Sequence, residues 1–131
     1  MIQFLTWNEL TKTNTKLHNE PKDIRVIENL IETARYLDMI RKNLDLPIIV
    51  NSCYRSKEVN EAIGGSKNSW HLHGLAADIR CKDMKMLEQF LDAHISELDE
   101  YGKYYDVYGN LKFIHIGLGP LHRGKVFKKT V

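Results

Sequence analysis

The chemistry in this chain concentrates in Ser69-Trp70-His71-Leu72-His73-Gly74-Leu75-Ala76-Ala77-Asp78, where an imidazole and a carboxylate stand seven residues apart across a glycine. A further histidine lies downstream in Phe113-Ile114-His115-Ile116. Two histidines and an aspartate make the nitrogen and oxygen ligand set that a catalytic zinc takes, with a fourth position left for water. Asp78 interrupts an apolar run of Leu75, Ala76, Ala77 and Ile79, and His115 sits among Phe113, Ile114, Ile116 and Leu118. A polar group in such a strand is costly to bury without a partner, and one metal would partner both. The pattern points to a zinc hydrolase site. By spacing alone His73 rivals His71, because alternate residues of an extended segment share a face. His18, His94 and His122 have no partner spacing.

These residues need a scaffold, and the rest of the chain supplies one. Thr6-Trp7-Asn8-Glu9 has capping-box spacing, which predicts a short helix after Thr6. Residues 11–19 are polar and read as a surface loop, and Pro21 suits the first turn of the next helix. Ile24, Ile27, Leu30, Ile31, Ala34, Leu37, Ile40 and Leu44 recur at three and four residues, the apolar face of a long helix that covers a sheet. Leu46 to Asn51 reads as a strand, and Ser56 as the cap of a helix that stops at Gly64-Gly65. A Gly- and Ser-rich loop over 64–74 feeds a strand from Leu75 to Arg80, and Met84 to Leu98 marks another amphipathic helix. Tyr104 to Tyr108 and Leu111 to Gly117 flank Gly109-Asn110, a two-residue hairpin signal. The sum is an α+β fold: a small, mainly antiparallel sheet with helices packed on it.

Length and composition fit a single domain over residues 1–131, with 43% hydrophobic and 27% charged residues. No apolar run is long enough to insert in a membrane, and no signal-peptide core follows Met1. The expectation is therefore a protein that is cytoplasmic at synthesis and either stays there or is released by another component. A net charge of +2 does not argue for nucleic acid, although His122, Arg123, Lys125, Lys128 and Lys129 form a basic tail. A monomer is expected. Cys53 and Cys81 lack CxxC spacing and read as reduced, partly buried thiols.

Together the motifs resemble the M15-type zinc peptidases, the D-Ala-D-Ala carboxypeptidase-like group that cuts peptidoglycan stem peptides and includes many phage endolysins. The resemblance runs from Phe4-Leu5-Thr6-Trp7-Asn8-Glu9-Leu10 through Pro47 to Ser56, with its Tyr54-Arg55-Ser56 turn, then Val59-Asn60 and Gly64-Gly65-Ser66. It is most specific at Ser69, His71, Gly74, Ala76 and Asp78, and closes at Phe113-Ile114-His115-Ile116. It implies a hedgehog/D-Ala-D-Ala-peptidase-like fold, Zn2+ held by His71, Asp78 and His115, and a peptidoglycan peptide as substrate, hydrolysed by a metal-activated water. It also implies that Arg55 holds the substrate carboxylate or polarises the scissile carbonyl. That role agrees with a guanidinium fork at a strand-to-helix turn. Ser69 is expected to hydrogen-bond within the loop or to substrate.

Family members often carry an acid three residues before the last histidine, where this chain has Lys112. A lysine does not serve as that base unless its pKa is strongly depressed. With Gly109-Asn110 as the turn, Tyr104 would lie opposite His115 and Asp106 opposite Phe113, both facing the metal. Asp106 is then the expected surrogate base and Tyr104 a hydrogen-bond donor to substrate, with Glu100 and Asp99 as further options. Lys112 would face away. Without an acid in reach, the same fold would be a catalytically impaired module that binds cell-wall peptide or a protein. Trp70 and Cys53 also depart from the usual residues, the first as a possible groove-shaping side chain, the second as a potential thiolate ligand that would close the site.

Overall fold

The computed structural model describes residues 5–119. The basic tail at 122–129 lies outside the described residues. Helix α1 (Trp7–Thr11) starts with the expected capping box, in which Thr6 and Glu9 exchange side-chain-to-backbone hydrogen bonds. Helix α2 (Ile24–Leu44) begins later than Pro21 suggests, because the Asp23 carboxylate caps it by accepting from the Arg25 N–H. Its buried stripe runs through Val26, Leu30, Ala34, Leu37 and Ile40, whereas Ile24 is 71% exposed.

Four strands follow: β1 (Ile48–Ser52), β2 (Ala76–Cys81), β3 (Glu100–Tyr105) and β4 (Leu111–Gly117). They form one antiparallel sheet in the order β1-β2-β4-β3, confirming the α+β expectation. Helix α3 (Lys57–Ala62), capped by Ser56, follows β1, and α4 (Met84–Ala93), capped by Asp83, joins β2 to β3. Among the described residues no helix is long and apolar enough to cross a membrane.

Strand alternation gives the sheet two different faces. Val50, Ala77, Ile79, Ile114 and Ile116 point to the core with α2 and α4, all of them at most 1% exposed. Asp78 pairs with His115, so both point to the opposite face, and Gly102 pairs with His115 from β3. A bulge in β1 between Val50 and Ser52 brings Ser52 opposite Asp78. Because an extra residue in one strand reverses alternation, Ser52 joins the polar face.

Two expectations about the site's framework change. The stretch Trp70–His73 is a turn of 3-10 helix, capped by Ser69, rather than an extended loop. Its 3-residue period turns His73 away from the side His71 takes. In addition, the β3–β4 hairpin does not close on a two-residue turn. The observed pairs are Gly102 with His115 and Tyr104 with Phe113, a shift of two residues from the expected register. Gly109 has positive φ, but its N–H bonds back to Asp106 O at 3.1 Å, so it lies inside a turn that starts at Asp106 rather than opening a two-residue one. Asp106 instead organises a longer loop: its N–H bonds Asn110 O at 2.8 Å, and its Oδ1 accepts from the N–H groups of Tyr108 (2.8 Å) and Asn110 (2.9 Å).

Candidate active site

His71, Asp78 and His115 converge, each offering a ligand atom within 4.8 Å of the others. Asp78 Oδ1 lies 3.3 Å from His71 Nε2 and 2.7 Å from His115 Nδ1. The tautomer of His71 follows from its other side. Nδ1 is 2.6 Å from the Cys53 carbonyl, which can only accept, so the proton sits on Nδ1 and Nε2 carries a bare lone pair. Burial pushes the His71 pKa below its ordinary value, with Asp78 opposing, so the ring is neutral at pH 7. A bare nitrogen facing a carboxylate oxygen is a pair of acceptors with no proton between them. The donor set therefore fits a divalent metal, and nitrogen with carboxylate oxygen is a set zinc accepts.

Asp78 is ionised. Burial raises its pKa, but the His115 imidazole, 2.7 Å away, outweighs that and holds it well below the usual carboxylate range. Its second oxygen, Oδ2, accepts from Arg55 Nη2 at 3.2 Å. Arg55 is fixed on two further sides, by Nε to Ser52 Oγ (3.1 Å) and Nη1 to Asn60 Oδ1 (3.3 Å). With five N–H groups in the fork, one on each terminal nitrogen is left for a ligand.

The loop that carries His71 is held by the long helix. Thr33 Oγ1 donates to Gly74 O at 2.6 Å, and Asn29 Nδ2 to His73 O at 3.1 Å. Gly74 has φ +73°, and a Cβ there would stand 2.8 Å from Val26 O, so only glycine lets the loop lie against α2. From the other side Asn60 Nδ2 donates to Ser66 O at 2.9 Å, tying the loop to the residue that holds Arg55. Asn29, Thr33, Ser52 and Asn60 were not singled out as functional from sequence. Asn29 and Thr33 do stand four apart as polar residues within an apolar helix face, which is the signal they leave.

The cleft over this cluster has a volume of ≈ 320 Å³ and is lined by Arg55, Ser66, Asn68, Ser69, His71, Asp78, Glu100, Tyr104, Phe113 and His115. Ser69 also accepts the His71 N–H at 3.1 Å, so its structural role is occupied. Tyr104 stays on this face because a shift of two residues preserves strand parity, and its ring stacks on Phe113 with centroids 4.7 Å apart. Asp106 does not reach the cleft. Both of its carboxylate oxygens serve the hairpin turn, Oδ2 accepting from Asn110 Nδ2 at 3.2 Å. Asp99 is likewise engaged, accepting from Trp70 Nε1 at 2.7 Å.

The same shift brings Glu100 in. Its Oε1 lies 2.9 Å from His115 Nε2, on the side of the ring away from Asp78. Glu100 pairs with Gly117, where a Cβ would stand 2.9 Å from Glu100 Cβ and 3.0 Å from its Oε1. The absence of a side chain at 117 is thus what allows Glu100 to lean over His115. Lys112 is exposed and outside the cleft, as alternation requires.

The remaining alternatives are resolved by position. Cys53 is fully buried, its thiol held up at about 12 by burial and by the Asp78 charge, and it is outside the ligand cluster. It touches the site only through its carbonyl. Cys81 is also a free, buried thiol. Trp70 is 2% exposed and belongs to the core rather than to the groove.

With this geometry in hand, the family comparison is decisive. A family model described as "Peptidase M15" matches residues 3–117. The chain belongs to the peptidase M15 family. The match spans both the Arg55 turn and the His115 strand, so it covers all the elements that build the cleft. M15 peptidases are metal-dependent, and among the described residues His71, Asp78 and His115 form a cluster that could hold a metal ion. No curated protein matches the chain.

Proposed function

We propose that this M15 peptidase is a zinc-dependent hydrolase of peptide bonds in peptidoglycan stem peptides, of the D,D-carboxypeptidase or endopeptidase type. The observation that carries the reading is the His71 Nε2 lone pair aimed at Asp78 Oδ1, with His115 Nδ1 on the same oxygen. His71, Asp78 and His115 would hold the zinc. When bound, it supplies Lewis-acid polarisation of the scissile carbonyl and lowers the pKa of water.

The chain's own residues do the rest. Arg55, anchored on three sides, presents its two free N–H groups to the substrate carboxylate or to the developing oxyanion. Glu100 takes the proton of the attacking water and returns it to the leaving nitrogen, the role first expected of Asp106. The cost of keeping Glu100 next to His115 is offset by its contact with the imidazole N–H, which also orients that ring. Tyr104 and Phe113 offer a stacked aromatic wall to the substrate, and Ser69 a hydroxyl at its edge. A carboxylate in the cleft supports catalysis over the alternative of a binding module that has lost its base.

The test is digestion of defined muropeptides by zinc-loaded protein, read by mass spectrometry. Wild type should release products that His71→Ala does not. Identical product profiles from the two proteins would overturn the hydrolase reading. Action on the wall after release, or from within a virion, is consistent with this substrate and is assayed by turbidity loss of intact wall preparations. A monomer in solution is expected by light scattering.

A further inference from the structure

A second, larger cavity of ≈ 660 Å³ lies beside the metal cleft, lined by Tyr54, Arg55, Lys57, Asn60, Glu61, Gly65, Lys67 and Leu72. Arg55 lines both cavities, and the loop from Gly65 to Leu72 is the ridge between them. Along that ridge the side allegiance alternates: Gly65 and Lys67 border the larger cavity, Ser66 and Asn68 the metal cleft. A chain whose reacting bond sits over Asp78 can therefore continue past Arg55 into the larger space.

The chemistry of that space is cationic with an apolar base. Tyr54 and Leu72 supply the apolar part, and Lys57 and Lys67 are exposed. Neither lysine is in a hydrogen bond or an ion pair among the described residues. The Arg55 charge is already balanced by Asp78 at 3.2 Å. Lys57 and Lys67 set against Glu61 then leave one uncompensated positive charge, which suits one carboxylate rather than a polyanion.

We propose that this cavity is a second substrate subsite, in which Lys57 and Lys67 bind a free carboxylate on the peptide flanking the scissile bond. The proposal rests on the peptidase reading and adds a selectivity: stem peptides bearing a free carboxylate are preferred over those in which it is amidated. Charge-assisted contacts from two partly solvated lysines correspond to a preference of about tenfold, reduced by added salt.

The experiment uses two fluorescein-labelled stem pentapeptides, identical except that one side-branch carboxylate is free in the first and amidated in the second. Binding to the zinc-loaded full chain is measured by anisotropy, and hydrolysis separately by mass spectrometry. The expected result is that the free-carboxylate peptide binds about tenfold more tightly, and that K57Q/K67Q removes the difference without changing affinity for the amidated peptide. Equal affinity for the two peptides, or a preference that survives in K57Q/K67Q, overturns the proposal. So does failure of both peptides to bind. Selective binding without hydrolysis of either peptide supports the subsite while overturning the peptidase reading. Hydrolysis of both with equal KM does the reverse.

Discussion

The two walls of the metal cleft are built on different terms. On one side, Arg55, Asn60, His71 and Asp78 are buried or nearly so, and hydrogen bonds to Ser52, Ser66 and the Cys53 carbonyl fix them in place. On the other, β3 and β4 contribute Glu100, Tyr104, Phe113 and His115 from a hairpin whose tip is largely solvated, with Tyr104 49% and Tyr108 86% exposed. The first wall is preorganised to hold charge. The second is more open, and its half-buried anchor is His115, held between Asp78 and Glu100. The first wall carries two of the three candidate metal ligands and the anchored Arg55, while the second carries the third, His115, together with Glu100 and the aromatic pair.

The sharpest way to break this division is to alter the second wall alone. Glu100→Gln should lower the hydrolysis rate by about 10²- to 10⁴-fold while the protein still binds metal. Asp106→Asn, in the same hairpin, should leave the rate unchanged and lower only the melting temperature. Steady-state kinetics on both variants decide it, and a rate loss in Asp106→Asn with none in Glu100→Gln would reverse the two roles.

On the first wall, Arg55→Lys keeps the charge but cannot reproduce the fork that meets Ser52, Asn60 and Asp78 together. A fall in kcat/KM of about 10²-fold is expected, measured on the same peptide. An unchanged value would mean that Arg55 only braces Asp78.

The loop's seat on α2 is a matter of stability. Gly74→Ala forces a side chain into positive φ and against Val26 O, and should cost about 2 kcal/mol or more in urea unfolding. A neutral outcome would show that the first wall is not gripped by the helix.

The smallest effect is in pH dependence. His71 has a folded pKa depressed by burial, so below the ordinary histidine value of about 6.5 the unfolded chain binds more protons than the folded one. The metal-free protein should therefore lose stability as pH falls from 7 towards 5, and His71→Gln should flatten that slope. A slope that persists unchanged in the variant would locate the acid sensitivity elsewhere.

The first wall was largely legible in the sequence because its information is local. His71, Gly74 and Asp78 fall within eight residues, the Arg55 turn follows directly on a strand, and an aspartate in an apolar strand announces a partner. The second wall was not, because it depends on register. Gly109-Asn110 resembles a two-residue turn, but the Asp106 carboxylate captures the backbone N–H groups of Tyr108 and Asn110 and lengthens the loop. That took Asp106 out of the cleft and brought Glu100 into it, while Tyr104 stays on the face that lines the cleft. His73 was ambiguous for a similar reason: a tight helical turn and an extended loop project the same residues differently. The polar grip of Asn29 and Thr33 was hidden within an apolar periodicity that describes the helix correctly but not what it holds.

The central claim is that His71, Asp78 and His115 form one metal centre. Elemental analysis of the purified protein, after dialysis against zinc and removal of free ion, measures it directly. The account predicts one zinc per wild-type chain, and none retained by His71→Ala or His115→Ala when both variants keep the wild-type far-UV circular dichroism. A wild-type protein that holds no zinc, or folded variants that hold as much as wild type, would contradict it.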